Sequence, residues 1–205
     1  MAHPEQQLFV AHCKRFLPEW FRNRTVLEIG SLDVNGSVRE FFEDCRYTGI
    51  DVGPGKGVDI VAAGQTFAGA THGYDVVISC EAMEHNPFWR ETLQNAVRML
   101  KPDGLMLLTC ASYGRRQHGT PERSPGDSPL TASAGPGYYR NLGEADLRGA
   151  GPFDDWFGWH RFFNDFVIRD LYFIGLRPQA ATGAVDACAA EFDHYLRLRN
   201  MFGEW

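Results

Sequence analysis

The stretch Val26-Leu-Glu-Ile-Gly-Ser-Leu-Asp-Val-Asn-Gly36 decides how this chain folds. Its first half is a short apolar run ending in a carboxylate and a glycine, the pattern of a buried parallel strand that opens onto a turn. Ser31, Asp33 and Asn35 favour tight backbone geometry by bonding to their own main chain, and Gly30 and Gly36 permit close approach or positive φ. Ser37-Val-Arg-Glu-Phe-Phe42 then predicts a helix start, whose free backbone N–H groups would point at whatever binds over the strand end. Strand, glycine turn and helix together make a nucleotide cradle. Tyr47-Thr-Gly-Ile-Asp51 adds a second strand ending in an acid about twenty residues on, where such cradles place a carboxylate on a ribose diol. An ordinary solvated Asp after a strand is the plain alternative.

Outward from the cradle, strands alternate with helices or compact connections. Upstream, Leu8, Phe9, His12, Cys13, Phe16, Trp20 and Phe21 recur at helical spacing and predict a helix over 5–21. Downstream, Gly53-Pro-Gly-Lys-Gly57 lacks the Lys-Ser/Thr and following helix of a phosphate loop, and Val58–Ala63 reads as a third strand. Tyr74–Cys80 is a continuous apolar run, hence a central strand covered on both faces, and Glu81-Ala-Met-Glu-His85 follows its carboxyl end. A helix from Pro87 carries Trp89, Leu93, Val97 and Leu100 and stops near Lys101-Pro-Asp-Gly104, and Leu105–Cys110 is a fifth strand. These crossovers imply a parallel sheet with ligands outside the carboxyl ends of its strands, where Gly30, Asp51, 80–85 and the start of 111–140 converge. Half of residues 111–140 are Gly, Pro, Ser or Thr, which on the ligand face predicts a lid. Asn141 then caps a short helix with Glu144 three residues on, Phe157–Phe163 and Asp170–Arg177 form an antiparallel hairpin, and 184–198 is helical.

The 205 residues suit one domain, expected over 1–205 with its lid inserted at about 111–140. A net charge of −6 argues against nucleic acid as a partner, because that binding depends on releasing counterions from a basic face. Five cysteines without a C-x-x-C pair give neither a disulfide framework nor a zinc knuckle, so reduced, buried thiols are expected at Cys80 and Cys110. No stretch reads as a leader or a bilayer span, and the expected location is the cytoplasm.

Leu27-Glu-Ile-Gly-Ser31, Gly49-Ile-Asp51, Tyr74–Ser79 with Glu84-His85, and Met99–Thr109 resemble, in order, the successive motifs of class I S-adenosylmethionine-dependent methyltransferases. The resemblance covers roughly residues 25 to 111. It implies a Rossmann-like, doubly wound α/β fold with a seven-stranded, mostly parallel sheet and an antiparallel C-terminal hairpin. It also implies S-adenosylmethionine as cofactor: Glu28, Gly30, Ser31, Asp33 and Gly36 along the methionine half, Asp51 on the ribose, and Val52, Ala62, Cys80 and Glu81 among the remaining contacts. The chain departs from the family pattern at Ser31–Asn35, where further glycines are usual, and at Ala62-Ala-Gly64, where many relatives carry an acid for the adenine amine.

Methyl transfer is an in-line displacement on a sulfonium, needing an aligned nucleophile and, for a hydroxyl, a base; no metal is required. His85 is the first candidate base and Glu84 a second catalytic candidate, with Glu81 and Glu84 able to orient substrate or favour the sulfonium. A histidine that merely starts a helix is the alternative for His85. His118, Tyr138 and Tyr139 are the lid candidates, and His160 is a weaker base candidate. The expected activity is methylation of oxygen or nitrogen on a small molecule such as a sugar, a glycan precursor or a secondary metabolite. A nicotinamide-dependent oxidoreductase and a non-catalytic S-adenosylmethionine-binding module are the competing readings, the first disfavoured by the incomplete G-x-G-x-x-G.

Overall fold

The computed structural model describes residues 2–134 and 137–203; Gly135 and Pro136 of the expected lid lie outside the described residues. The strands are β1 (Thr25–Ile29), β2 (Arg46–Asp51), β3 (Ile60–Val61), β4 (Tyr74–Cys80), β5 (Leu100–Ala111), β6 (Trp159–Asp165) and β7 (Asp170–Leu176). They form one sheet in the order β3-β2-β1-β4-β5-β7-β6. The first five run parallel, and β7 enters antiparallel between β5 and β6. This is the mostly parallel, seven-stranded α/β sheet with a C-terminal hairpin that the sequence predicts.

Side-chain alternation along the strands divides the core into two layers. Val26, Val76, Ile78, Leu105 and Ile174 face α1 (Pro4–Phe16) and α6 (Val185–Phe202), while Leu27, Val77, Met106, Leu108 and Phe173 face α2 (Trp89–Met99), α4 (Glu144–Arg148) and α5 (Phe153–Trp156). In the first layer Phe9, Tyr172 and Phe192 meet with ring centroids 5.0 to 5.4 Å apart. Truncating a ring buried this way costs about 3–5 kcal/mol.

Several expected elements take other shapes. After Gly36 only a single 3₁₀ turn forms, at Arg39–Phe41. Ser37 Oγ accepts the Arg39 N–H and Val38 is fully buried against the α1 layer, so the connection is spent as a plug and α1 covers that face instead. The helix expected over 5–21 stops at Phe16, and Pro18 opens a separate 3₁₀ turn because it has no N–H to continue the helical ladder. The third strand is two residues long. Lys101–Gly104 joins β5 as an irregularity between the Tyr74–Leu100 and Val76–Leu105 pairs, tied down by Lys101 Nζ donating to Asp75 at 2.7 Å. α4 starts at Glu144, its first turn fastened by Asp146 Oδ2 accepting the Gly143 N–H, and Asn141 instead donates to the Arg115 carbonyl. Among the described residues no helix is long and apolar enough to cross a membrane.

Glu28 lies buried in β1, where its Oε2 accepts the Tyr47 hydroxyl at 2.9 Å. Burial pushes this carboxyl up to about 7, against the opposing pull of the Tyr47 hydrogen bond. The folded protein therefore keeps a proton that the unfolded chain has released. Stability falls as pH rises from 4.5 to about 7, and the full cost, roughly 3 kcal/mol, stands above that window. Glu28→Gln, which retains an acceptor for Tyr47, should raise Tm by several degrees at pH 8 and lose that advantage at pH 4; an equal offset at both pH values in thermal unfolding would contradict this.

Candidate active site

Gly30 ends β1 with φ +81°, and a Cβ there would sit 2.3 Å from the Cβ of Ala82, so only glycine lets the β1 and β4 ends close up this way. The N–H groups of Gly30 and Ser31 both donate to the Ile50 carbonyl, at 2.9 and 3.1 Å, which turns the chain across the end of β2. There Asp51 accepts from two backbone donors, Leu32 N–H at 3.0 Å and Val52 N–H at 2.8 Å, one on each carboxylate oxygen. Each oxygen keeps a second lone pair for a ligand. Glu81 follows β4 in the left-handed region at φ +49°, with Oε1 accepting from Thr109 Oγ1 at 2.9 Å. A non-glycine residue held there is strained, and such strain concentrates at ligand sites.

These strand ends form the floor of a cavity of about 310 Å³, within the range of small-molecule sites. Gly30, Asp51, Val52, Ala62, Glu81, His85 and Tyr138 all line it. Its opposite wall comes from the 111–140 segment, through Ser128 and through α3 (Pro129–Ala134), where Leu130 packs over Gly53. Leu32, Ile50 and Phe88 make much of the remaining surface apolar, which suits a flat heteroaromatic ring beside a polar sugar.

His85 stands at one end of the cavity, 3 % exposed, with neither ring nitrogen hydrogen-bonded among the described residues. Burial, helped by the neighbouring His118, pushes its imidazole down to about 3, so it is neutral. His118 and Tyr139 pack on it with ring centroids 5.1 and 5.4 Å away, and both lie behind the cavity surface. Gly119 permits that approach: a Cβ there would meet His85 Cε1 at 2.6 Å. The segment carrying these residues is closed at its base by Arg140 N–H donating to the Glu84 carbonyl at 2.9 Å and by Arg115 Nη1 on Asp170 Oδ1 at 3.1 Å.

Other sequence candidates have structural positions away from the cavity surface. Glu28 is paired inside β1 with Tyr47. Ser31 is buried with its hydroxyl beneath Gly49, and Gly36 faces Gln7 and the Ala2 carbonyl at φ +138°. Asp33 holds the turn by accepting Gly36 N–H and pairing with exposed Lys56, a contact that lowers its pKa. Cys80 is core, its thiol pushed up by burial. Glu84, which immediately precedes His85, is fully buried. His160 sits on β6, 3.7 Å from Asp154 and packed on Phe153, remote from the cavity. Sequence reasoning missed Gln65, Asn86 and Leu130 in the wall. Of these only Asn86 carried a local signal: preceding Pro87, it accepts the Phe88 N–H and donates to Thr92, fastening the start of α2.

Against solved structures the fold is shared with 1,6-didemethyltoxoflavin N1-methyltransferase of Burkholderia thailandensis, solved with bound 1,6-didemethyltoxoflavin and S-adenosylhomocysteine: TM-score 0.56, 12 % identity, 84 % of this chain and 80 % of that one. Phosphoethanolamine N-methyltransferase 2 of Haemonchus contortus, solved with phosphomonomethylethanolamine and S-adenosylhomocysteine, gives 0.60 at 14 % identity. It covers 86 % of this chain, which spans about half (53 %) of the nematode enzyme. The carbon methyltransferase CurJ gives 0.55 at 15 % identity, covering 82 % of this chain and 51 % of that one. At such identities the likeness is one of fold. No curated protein sequence matches the chain. Residues 1–119 match the family model described as a methyltransferase domain. That match spans more than half of the sequence, and the chain belongs to the methyltransferase-domain family.

Proposed function

We propose that the cavity binds S-adenosylmethionine, the methyl donor of this methyltransferase, and presents its methyl to an oxygen or nitrogen of a small molecule of the sugar, glycan-precursor or secondary-metabolite kind. The observation that carries the reading is Asp51, a carboxylate fixed at the cavity by two backbone N–H groups with lone pairs left for a ribose diol. Ile50, Val52 and Leu130 supply apolar surface for adenine, and Ala62 offers backbone contacts where relatives use an acid. Gly30 lets the donor lie close against the β1 end, and the Glu81 carboxylate favours the cationic sulfonium electrostatically.

The reaction breaks the S–CH₃ bond, its electron pair staying on sulfur, as an acceptor lone pair forms the new bond to carbon. His85 is neutral and unpartnered at the cavity wall, so an acceptor O–H or N–H can donate to it and be held in line. The 111–140 segment acts as the lid, with Tyr138 at the cavity and Tyr139 and His118 buttressing His85. The net charge of −6 agrees with a compact acceptor and with no nucleic-acid partner.

Calorimetry should give micromolar binding of S-adenosylmethionine that weakens by one to two orders of magnitude in Asp51→Ala, about 1.4 to 3 kcal/mol for lost hydrogen bonds to a charged group. Binding of NAD in preference would contradict the assignment. His85→Ala should keep donor affinity within threefold while removing turnover, and unchanged turnover would exclude it as the proton acceptor.

A further inference from the structure

Glu84, His85 and His118 meet behind the cavity wall, with one donor atom from each lying within 4.8 Å of the others. Nothing in their spacing marks a metal motif, because two are adjacent and the third is brought over them by the lid. Three features of the cluster suit it to hold a cation. First, Glu84 is fully buried and its Oε2 has no hydrogen-bond partner, while Oε1 takes only the Ala111 N–H at 3.3 Å. A carboxyl oxygen with no protein donor or counter-charge is costly to bury. Second, both nitrogens of His85 are unpartnered although the residue is 3 % exposed.

Third, His118 is already set as a ligand. Its Nδ1 lies 3.1 Å from the Arg116 carbonyl. A carbonyl can only accept, so Nδ1 is the donor in this contact and Nε2 is the ring nitrogen left to act as a ligand. This is the outer contact that fixes tautomer and orientation in metal-binding histidines. That Nε2 is buried and unpartnered. Ligand atoms of a tetrahedral zinc site stand roughly 3.4 Å apart, from bonds of about 2.1 Å, so side-chain rotations of about an ångström would bring the three donors onto one ion.

We propose that Glu84, His85 and His118 bind one divalent transition-metal ion of the zinc class, with an open position toward the cavity, and that the methyl acceptor is a hydroxyl compound coordinated there. The ion site stands on geometry alone; the acceptor class rests on the methyltransferase reading, with His85 then holding the acceptor through the ion rather than accepting its proton itself. A coordinated R–OH is acidified by the ion and its proton passes to the Glu81 carboxylate, whose Oε2 is unpartnered. The alkoxide lone pair then forms the C–O bond while the S–CH₃ pair returns to sulfur, giving R–OCH₃ and S-adenosylhomocysteine. Two histidines and one carboxylate with a vacant position suit this chemistry, since closed four-ligand sites leave no room for a reacting oxygen.

The test is calorimetric titration of Zn²⁺ into the chelator-treated full chain, with Co²⁺ followed in parallel by visible absorption. One ion per chain is expected, with affinity lost at least 100-fold in His118→Ala and in Glu84→Gln and unchanged in His194→Ala on the exposed face of α6. Acetohydroxamate should shift the Co²⁺ bands by occupying the open position. Absence of saturable binding, or affinity within threefold of the parent in both His118→Ala and Glu84→Gln, would overturn the ion site; Co²⁺ bands indifferent to acetohydroxamate would overturn the open position. S-adenosylmethionine affinity measured on the same samples checks that the variants fold. Its absence from a parent protein that binds Zn²⁺ would contradict the methyl-donor reading while leaving the ion site standing.

Discussion

The carboxylate of Asp51 joins the ends of two strands. It accepts Leu32 N–H from the turn after β1 and Val52 N–H from its own strand end. With the Gly30 and Ser31 N–H groups on the Ile50 carbonyl, this leaves the β1 turn little freedom. The turn therefore stands off the sheet and opens the space that Leu32, Asp51 and Glu81 border. Gly30 completes the constraint, since its missing side chain is where Ala82 sits. A ligand arriving at this cavity meets groups whose orientation is already fixed, so little of its binding free energy is lost to ordering the protein.

Across the cavity the opposite condition holds. Glu81, Glu84, His85 and His118 each keep a buried polar atom without a partner among the described residues. Folded proteins satisfy most such atoms, and a group of them in one place costs stability. Asp170, at the base of the 111–140 segment, is by contrast paired, accepting from Arg115 Nη1 at 3.1 Å and from Gln6 Nε2 at 2.8 Å. Glu84, His85 and His118 gather such atoms into one cluster beside the cavity.

The sheet was legible because its central strands are apolar runs covered on both faces, and the place of Asp51 at a strand end because its distance from the first glycine turn follows from one strand-turn-strand unit. The helix expected after Gly36 did not form, since local propensity cannot reveal that Val38 fills a hole under α1. Glu28 and Asp33 show a second limit. Both belong to the turn stretch, but whether a side chain points to ligand or to a neighbour depends on partners far away in sequence, here Tyr47 and Lys56. The meeting of His85 with His118 was invisible for the same reason. It depends on Gly119 lying flat against the imidazole and on the 111–140 segment being tied down through Arg115 and Arg140.

The measurement that bears most directly on this account is a crystal structure of the protein with S-adenosylhomocysteine. The account predicts both ribose hydroxyls on the Asp51 carboxylate, adenine against Ile50 and Leu130, and the sulfur facing His85. A nucleoside bound elsewhere, or one lying in the cavity with its ribose away from Asp51, would contradict it.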